Sequence, residues 1–153
     1  MKRKFTFLML LIGLVSYCQS SIEQRNPIYQ QDFESMLISN NSSIVISKYK
    51  SPEITEVSLI LKTEVETCHE NNGISLTLFS GEKLIFENIK IICSESERKK
   101  NELSGSLILT PELYNKLSQT EIVEFDLGGV SVPVKFKDNG ENLKELFKFS
   151  ESY

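Results

Sequence analysis

Cys68, His69 and Glu70 place three ligand or acid–base types in a row, with Glu64 and Glu66 just before them. Gathered on one ion they would make a transition-metal site. Successive residues of an extended chain point to opposite faces, however, so three neighbours do not converge. His69 is the sole histidine, and no second His or Cys pair follows at a zinc-type spacing. The sequence therefore implies no metal ligands, and His69 reads as a surface histidine beside a disulfide.

Hydrolytic chemistry meets the same shortage. A Ser-His-Asp arrangement would depend on His69 alone, and the G-x-S-x-G elbow is absent. Ser80-Gly81 and Ser104-Gly105-Ser106 read as turn and strand glycines. Carboxylates do come in close pairs, Glu64 with Glu66, Glu95 with Glu97 and Glu121 with Glu124. Glycosidases work with such pairs, but only across a cleft, and spacing alone puts none of these in one. Gly128-Gly129 lacks the dinucleotide and P-loop patterns. No catalytic or cofactor-binding residue is singled out, and no cofactor is implied.

The cysteines carry a firmer message when joined to the N-terminus. Lys2, Arg3 and Lys4 precede an almost unbroken apolar run from Phe5 to Val15, and Ser16-Tyr17-Cys18 offers small side chains around a cut after Cys18. That is the layout of a secretory signal over residues 1–18. The run is too short for a permanent membrane span, which takes about 20 residues, and no later stretch qualifies, so no transmembrane segment remains after signal removal. Lipid anchoring through Cys18 is the alternative, opposed by the bulk of Tyr17 where a lipoprotein signal has a small residue. Export to the periplasm or beyond leaves an even pair, Cys68 and Cys93, in an oxidising compartment, and a bridge between them is expected.

With 17 basic and 21 acidic residues in the whole chain, loss of the three signal bases leaves 14 against 21, a net charge of −7. Such a surface repels phosphate backbones, so nucleic acid is not an expected partner. The remaining length suits one domain.

Residues 19–26 read as a flexible lead, and 27–153 as a single globular domain. Asn26-Pro27 resembles a helix start, followed by Tyr29, Phe33, Met36 and Leu37 on one helical face, with Asn40-Asn41 as its end. Val57, Leu59, Leu61 and Val65 alternate with polar residues, the mark of a half-buried strand, with Ile60 as the exception. Asn72-Gly73 is a turn signal, and Ile74, Leu76 and Leu78 form a row that reverses at Ser80-Gly81 into Leu84 and Phe86. Ile89, Ile91 and Cys93 continue the alternation. Residues 94–101 hold no apolar side chain and read as an exposed loop bearing Arg98-Lys99-Lys100.

Leu103, Leu107 and Leu109 predict another strand, with Gly105 where a side chain would otherwise pack. Thr110-Pro111-Glu112 predicts a helix start. Val123, Phe125 and Leu127, then Gly128-Gly129, then Val130, Val132 and Val134 predict a hairpin, whose Pro133 suits an edge or bulge. Leu143, Leu146 and Phe147 share one face of a closing helix. The expectation is an α+β domain with a predominantly antiparallel sheet of six or seven strands and short flanking helices.

Four segments together carry a resemblance: Ser16-Tyr17-Cys18-Gln19, Ser75 to Leu84, Cys93 after the run Ile89 to Ile92, and Leu107 to Tyr114. They resemble small exported proteins of unknown function from Gram-negative bacteria, over roughly residues 55–149. The resemblance implies export and one domain, and no catalytic residue. The expected function is an exported, non-enzymatic binding or envelope-associated protein, with an unidentified protein or small ligand as partner, held on a sheet face or by strand addition at an edge near Pro133. Two other classes stay open, a small hydrolase using carboxylates in a cleft and a protease inhibitor presenting loop 94–101.

Overall fold

The computed structural model describes residues 30–39, 41–68, 71–96, 99–135 and 142–151. Residues 1–18, the lead over 19–26, and Asn26, Pro27, Tyr29, His69, Glu70, Glu97 and Arg98 lie outside the described residues.

Nine strands are described, in two antiparallel sheets. The first runs β1 (Gln30–Ser39), β2 (Ser42–Lys50), β3 (Thr55–Val65), β7 (Asn101–Ile108), β6 (Ile92–Glu95). The second runs β5 (Lys83–Lys90), β4 (Asn72–Leu78), β8 (Ile122–Leu127), β9 (Val130–Pro133). Two helices complete the described residues, α1 (Pro111–Leu117) and α2 (Asn142–Glu151). The antiparallel reading holds, while the count of six or seven strands in one sheet gives way to nine in two.

The alternation explains the layers. Ile44, Ile46, Leu59, Leu61, Leu103 and Leu107 from the first sheet share one buried core with Ile74, Leu76, Phe125 and Leu127 from the second. Gly105 marks the closest approach. A Cβ there would lie 2.8 Å from Ile74 Cδ1, 2.9 Å from Ile91 Cδ1 and 3.2 Å from Leu127 Cδ2. The missing side chain lets β7 sit against β4 and β8. Across β2 and β3, Ser42 and Thr63 face each other and share a buried hydroxyl–hydroxyl bond of 2.8 Å, which satisfies two polar groups inside the sandwich.

Two expectations are corrected. The helix drawn through Phe33, Met36 and Leu37 is strand β1, paired with β2 so that Phe33 faces Ser47 and Met36 faces Ile44. A helix this short is marginal on its own, and the β-branched Ile44-Val45-Ile46 segment offers it a partner strand. The Asn72-Gly73 turn is instead the start of β4. Between Asn72↔Lys90 and Ile74↔Phe86 the partner strand β5 carries two extra residues, a bulge that bends β5 away.

That bend matters for topology. Ile89, Ile91 and Cys93 do alternate, but the chain changes sheets at the buried Ile91. β5 is an edge of the second sheet, and β6 is an edge of the first. The hairpin at Gly128-Gly129 is as expected, with φ of 60° and 96° suiting a two-residue turn, and β9 with Pro133 is an edge strand.

The other two expected helices form. Thr110 caps α1, its Oγ1 accepting from the Leu113 N–H at 3.2 Å, with Pro111 at the first position. Helix α2 lies on β1 and β2 and buries Leu143, Leu146 and Phe147. Phe147 meets Tyr114 of α1 edge to face, with centroids 5.0 Å apart. Among the described residues, no helix is long and apolar enough to cross a membrane.

Candidate functional site: an apolar cleft at an open sheet edge

β6 pairs with β7 only from Asn101 to Ser104, so the edge of β7 beyond Ser104 is left open on that side. Among the described residues, β5 has β4 as its sole pairing partner. The two open edges face each other across a cleft of about 650 Å³, walled by Leu84, Ile85 and Phe86 on one side and Leu107 and Ile108 on the other. α1 closes one end with Leu113 and Lys116, and Lys116 Nζ reaches Glu82 Oε1 at 2.6 Å. That ion pair fastens the helix to the β4–β5 turn, although both ends are solvated and contribute little to stability.

The cleft is apolar and open. Ile85 is 64% exposed and Ile108 63%, and both sit on strands whose alternate residues are buried or half-buried. Large aliphatic side chains left in water beside an unpaired edge are what an added chain would cover. The backbone is also aimed outward. Leu78 N–H donates to Glu82 O at 2.8 Å, so Glu82, Leu84 and Phe86 turn their groups toward β4. By antiparallel alternation, Lys83 and Ile85 turn theirs into the cleft.

The expected disulfide is present. Cys68 and Cys93 are joined, with Cα atoms 5.9 Å apart. Cys93 lies on β6 and Cys68 three residues beyond β3, so the bridge ties the edge strand to the β3–β4 connection across β7. Asn101 Nδ2 donates to Glu66 O at 2.8 Å and holds the same crossing.

Glu64, Glu66 and Glu95 do line a second cleft, of about 660 Å³, together with Asn41, Asn101, Lys99 and Lys100. Lys100 Nζ stands 3.2 Å from Glu64 Oε2, while Glu66 and Glu95 are exposed. Glu66 and Glu95 therefore stand in water, while the Glu64 side chain is 9% exposed and turns its Oε2 to Lys100. Among the described residues no three His, Cys, Asp or Glu side chains converge as metal ligands. The 94–101 segment is shorter as a loop than expected. Ser94 and Glu95 belong to β6 and Asn101 to β7, and the turn is closed by Ser96 N–H to Lys100 O at 2.7 Å.

Glu121 has a structural task that its spacing from Glu124 did not suggest. It is 7% exposed and receives the N–H groups of Leu143 at 2.8 Å and Lys144 at 3.4 Å, at the positive end of α2. Glu121→Ala is expected to lower stability by about 2 kcal/mol, because it removes a charged cap and strands a buried N–H. Glu121→Gln should cost less, since one acceptor remains. Urea unfolding of both variants checks this, and an unmoved midpoint for Glu121→Ala would contradict it.

The cleft itself was not singled out from the sequence. The available signal was Ile85 and Ile108, each breaking the period-two pattern of its strand. Comparison with protein-family models, curated proteins and solved structures finds no match for this chain.

Proposed function

We propose that this is an exported, non-enzymatic binding protein that holds an extended segment of a partner protein along β5, in the cleft between β5 and β7. The observation that carries the reading is the coincidence of three features at one place: an unpaired strand edge, outward-aimed backbone groups and exposed isoleucines on both walls. Strand addition uses all three, the backbone for affinity and alternate side chains for fit. β9, the edge first suggested by Pro133, supports the reading less well, because it is four residues long and ends in a residue without a backbone donor.

The Cys68–Cys93 bridge supports an oxidising compartment, in keeping with the export layout of residues 1–18. The pairing of Glu64 with Lys100 and the exposure of Glu66 and Glu95 favour a structural surface over a hydrolytic centre.

The test is a titration of isotope-labelled, oxidised protein with an acetylated Val-Thr repeat peptide, followed by amide resonances. Saturable shifts centred on Lys83–Phe86 and Ser106–Ile108 are expected. Shifts centred on β9 or on the Glu64 cleft, or none at all, would overturn the reading.

A further inference from the structure

We infer that the strand added to β5 is the β5 of a second copy, giving an isologous dimer with its two-fold axis at Ile85. The inference rests on the reading of β5 as the receptive edge, and names the occupant from the side chains of β5 itself.

An antiparallel pairing of β5 with its own copy has few registers, and one of them matches every position. With Ile85 opposite the second copy's Ile85, Lys83 faces Glu87 and Leu84 faces Phe86, each pair occurring twice by symmetry. Lys83, Ile85 and Glu87 share one face of the strand, and Leu84 and Phe86 the other. The outer face thus gains an aliphatic pair flanked by two opposite-charge pairs. The inner face gains two apolar pairs that cover the half-buried Leu84 and Phe86. Moving the register by two residues sets Lys83 against Ile85, or Ile85 against Glu87, and loses both charge pairs.

Neither Lys83 nor Glu87 has an ion-pair partner among the described residues. Their charges are free to act across the edge. The backbone agrees with this register. Ile85 aims its N–H and C=O away from β4, so the central pair of the two-fold is a hydrogen-bonded one. The bulge that begins after Phe86 bends the strand beyond Glu87 away and limits the shared ladder to Lys83–Glu87, which stops the edge from extending into open-ended aggregation. The dimer joins the two four-stranded sheets into one of eight strands.

The experiment is sedimentation velocity of the oxidised protein over a concentration series into the high micromolar range, with charge swaps at the two exposed positions. Wild type is expected to dimerise reversibly. Lys83→Glu and Glu87→Lys should each weaken self-association by about tenfold, since each places two like-charge pairs at the interface. A mixture of the two single variants should form a heterodimer, and the double swap should restore the homodimer. Both positions are exposed, so circular dichroism should show all variants folded.

A wild-type dimer unaffected by the swaps, or no heterodimer on mixing, would overturn the proposal. A protein monomeric at every concentration would overturn it too. If that monomer still binds the Val-Thr peptide along β5, only the second copy is rejected; if it binds neither, the receptive edge falls as well.

Discussion

Reduction of the Cys68–Cys93 bridge, or its replacement by paired serines, is expected to destabilise the fold by about 3.5 kcal/mol. That is the chain-entropy value for a loop of this span, the two cysteines being 25 residues apart. The structure indicates where the loss falls. β6 meets β7 over only four residue pairs, and no other strand among the described residues holds it. Freed from Cys68, this edge should fray first and expose the β7 edge from Asn101 to Ser104. The core rows of β2, β3, β4 and β8 do not pass through the bridge, so the reduced protein should keep its secondary structure. A melting curve with and without reductant should show a fall on the order of 10 °C, by the usual relation of stability to melting temperature for chains of this size. Thiol labelling of unreduced, denatured protein should find both cysteines blocked. A melting temperature that reductant leaves in place would contradict the structural role of the bridge.

A comparable loss is expected from Gly105→Val. The first carbon added would already lie within 3 Å of the Ile74 and Ile91 methyls, and two more would follow into a space shared with Leu127. Each of those methyls ends a side chain packed in the same core, so the strain cannot be relieved by turning one group into water. Overpacking of this kind costs about 1–3 kcal/mol, and a branched residue at the meeting of two sheets belongs at the upper end. Gly105→Ala should cost less, because the terminal methyls of Ile74 and Ile91 can yield a little. Urea denaturation of both variants, read as the midpoint at constant slope, orders them as wild type, alanine, valine. Equal midpoints for wild type and valine would mean that the sheets are farther apart at Gly105 than described.

Much of this architecture was legible because strand alternation is a one-dimensional record of a two-sided environment. Val57 to Val65, Ile74 to Leu78 and Phe125 to Val134 each named their own inner face, although a register shift puts Ile122 rather than Val123 in the core, and Gly128-Gly129 and Ser80-Gly81 named the reversals between strands. Thr110-Pro111 marked a helix start through local chemistry alone. What failed was whatever depended on a distant partner. Phe33, Met36 and Leu37 fit a helical face as well as a strand, and only pairing with β2 decides between them. The row Ile89, Ile91 and Cys93 reads as one alternating strand, with nothing local to say that the chain leaves one sheet and enters another at Ile91. Six or seven strands in one sheet became nine in two for that reason.

The site followed the same division. Cys68 and Cys93 were legible as a pair from their number and compartment. Glu121 was not legible as a cap for α2, since the helix it serves begins 21 residues later. The cleft is formed by what β6 fails to cover on β7, and an unpaired edge leaves no trace in composition.

Amide hydrogen exchange along β5 tests the central claim most directly, because it reads the backbone groups that strand addition would use. In dilute, monomeric protein the amides of Lys83 and Ile85 should exchange fast, while those of Leu84 and Phe86, bonded to β4, stay protected. At concentrations or peptide levels that saturate binding, Lys83 and Ile85 should become protected by at least the same order, with β9 unchanged. Fast exchange at Lys83 and Ile85 under saturating conditions, or protection of both in the dilute monomer, would contradict an open edge that takes an added strand.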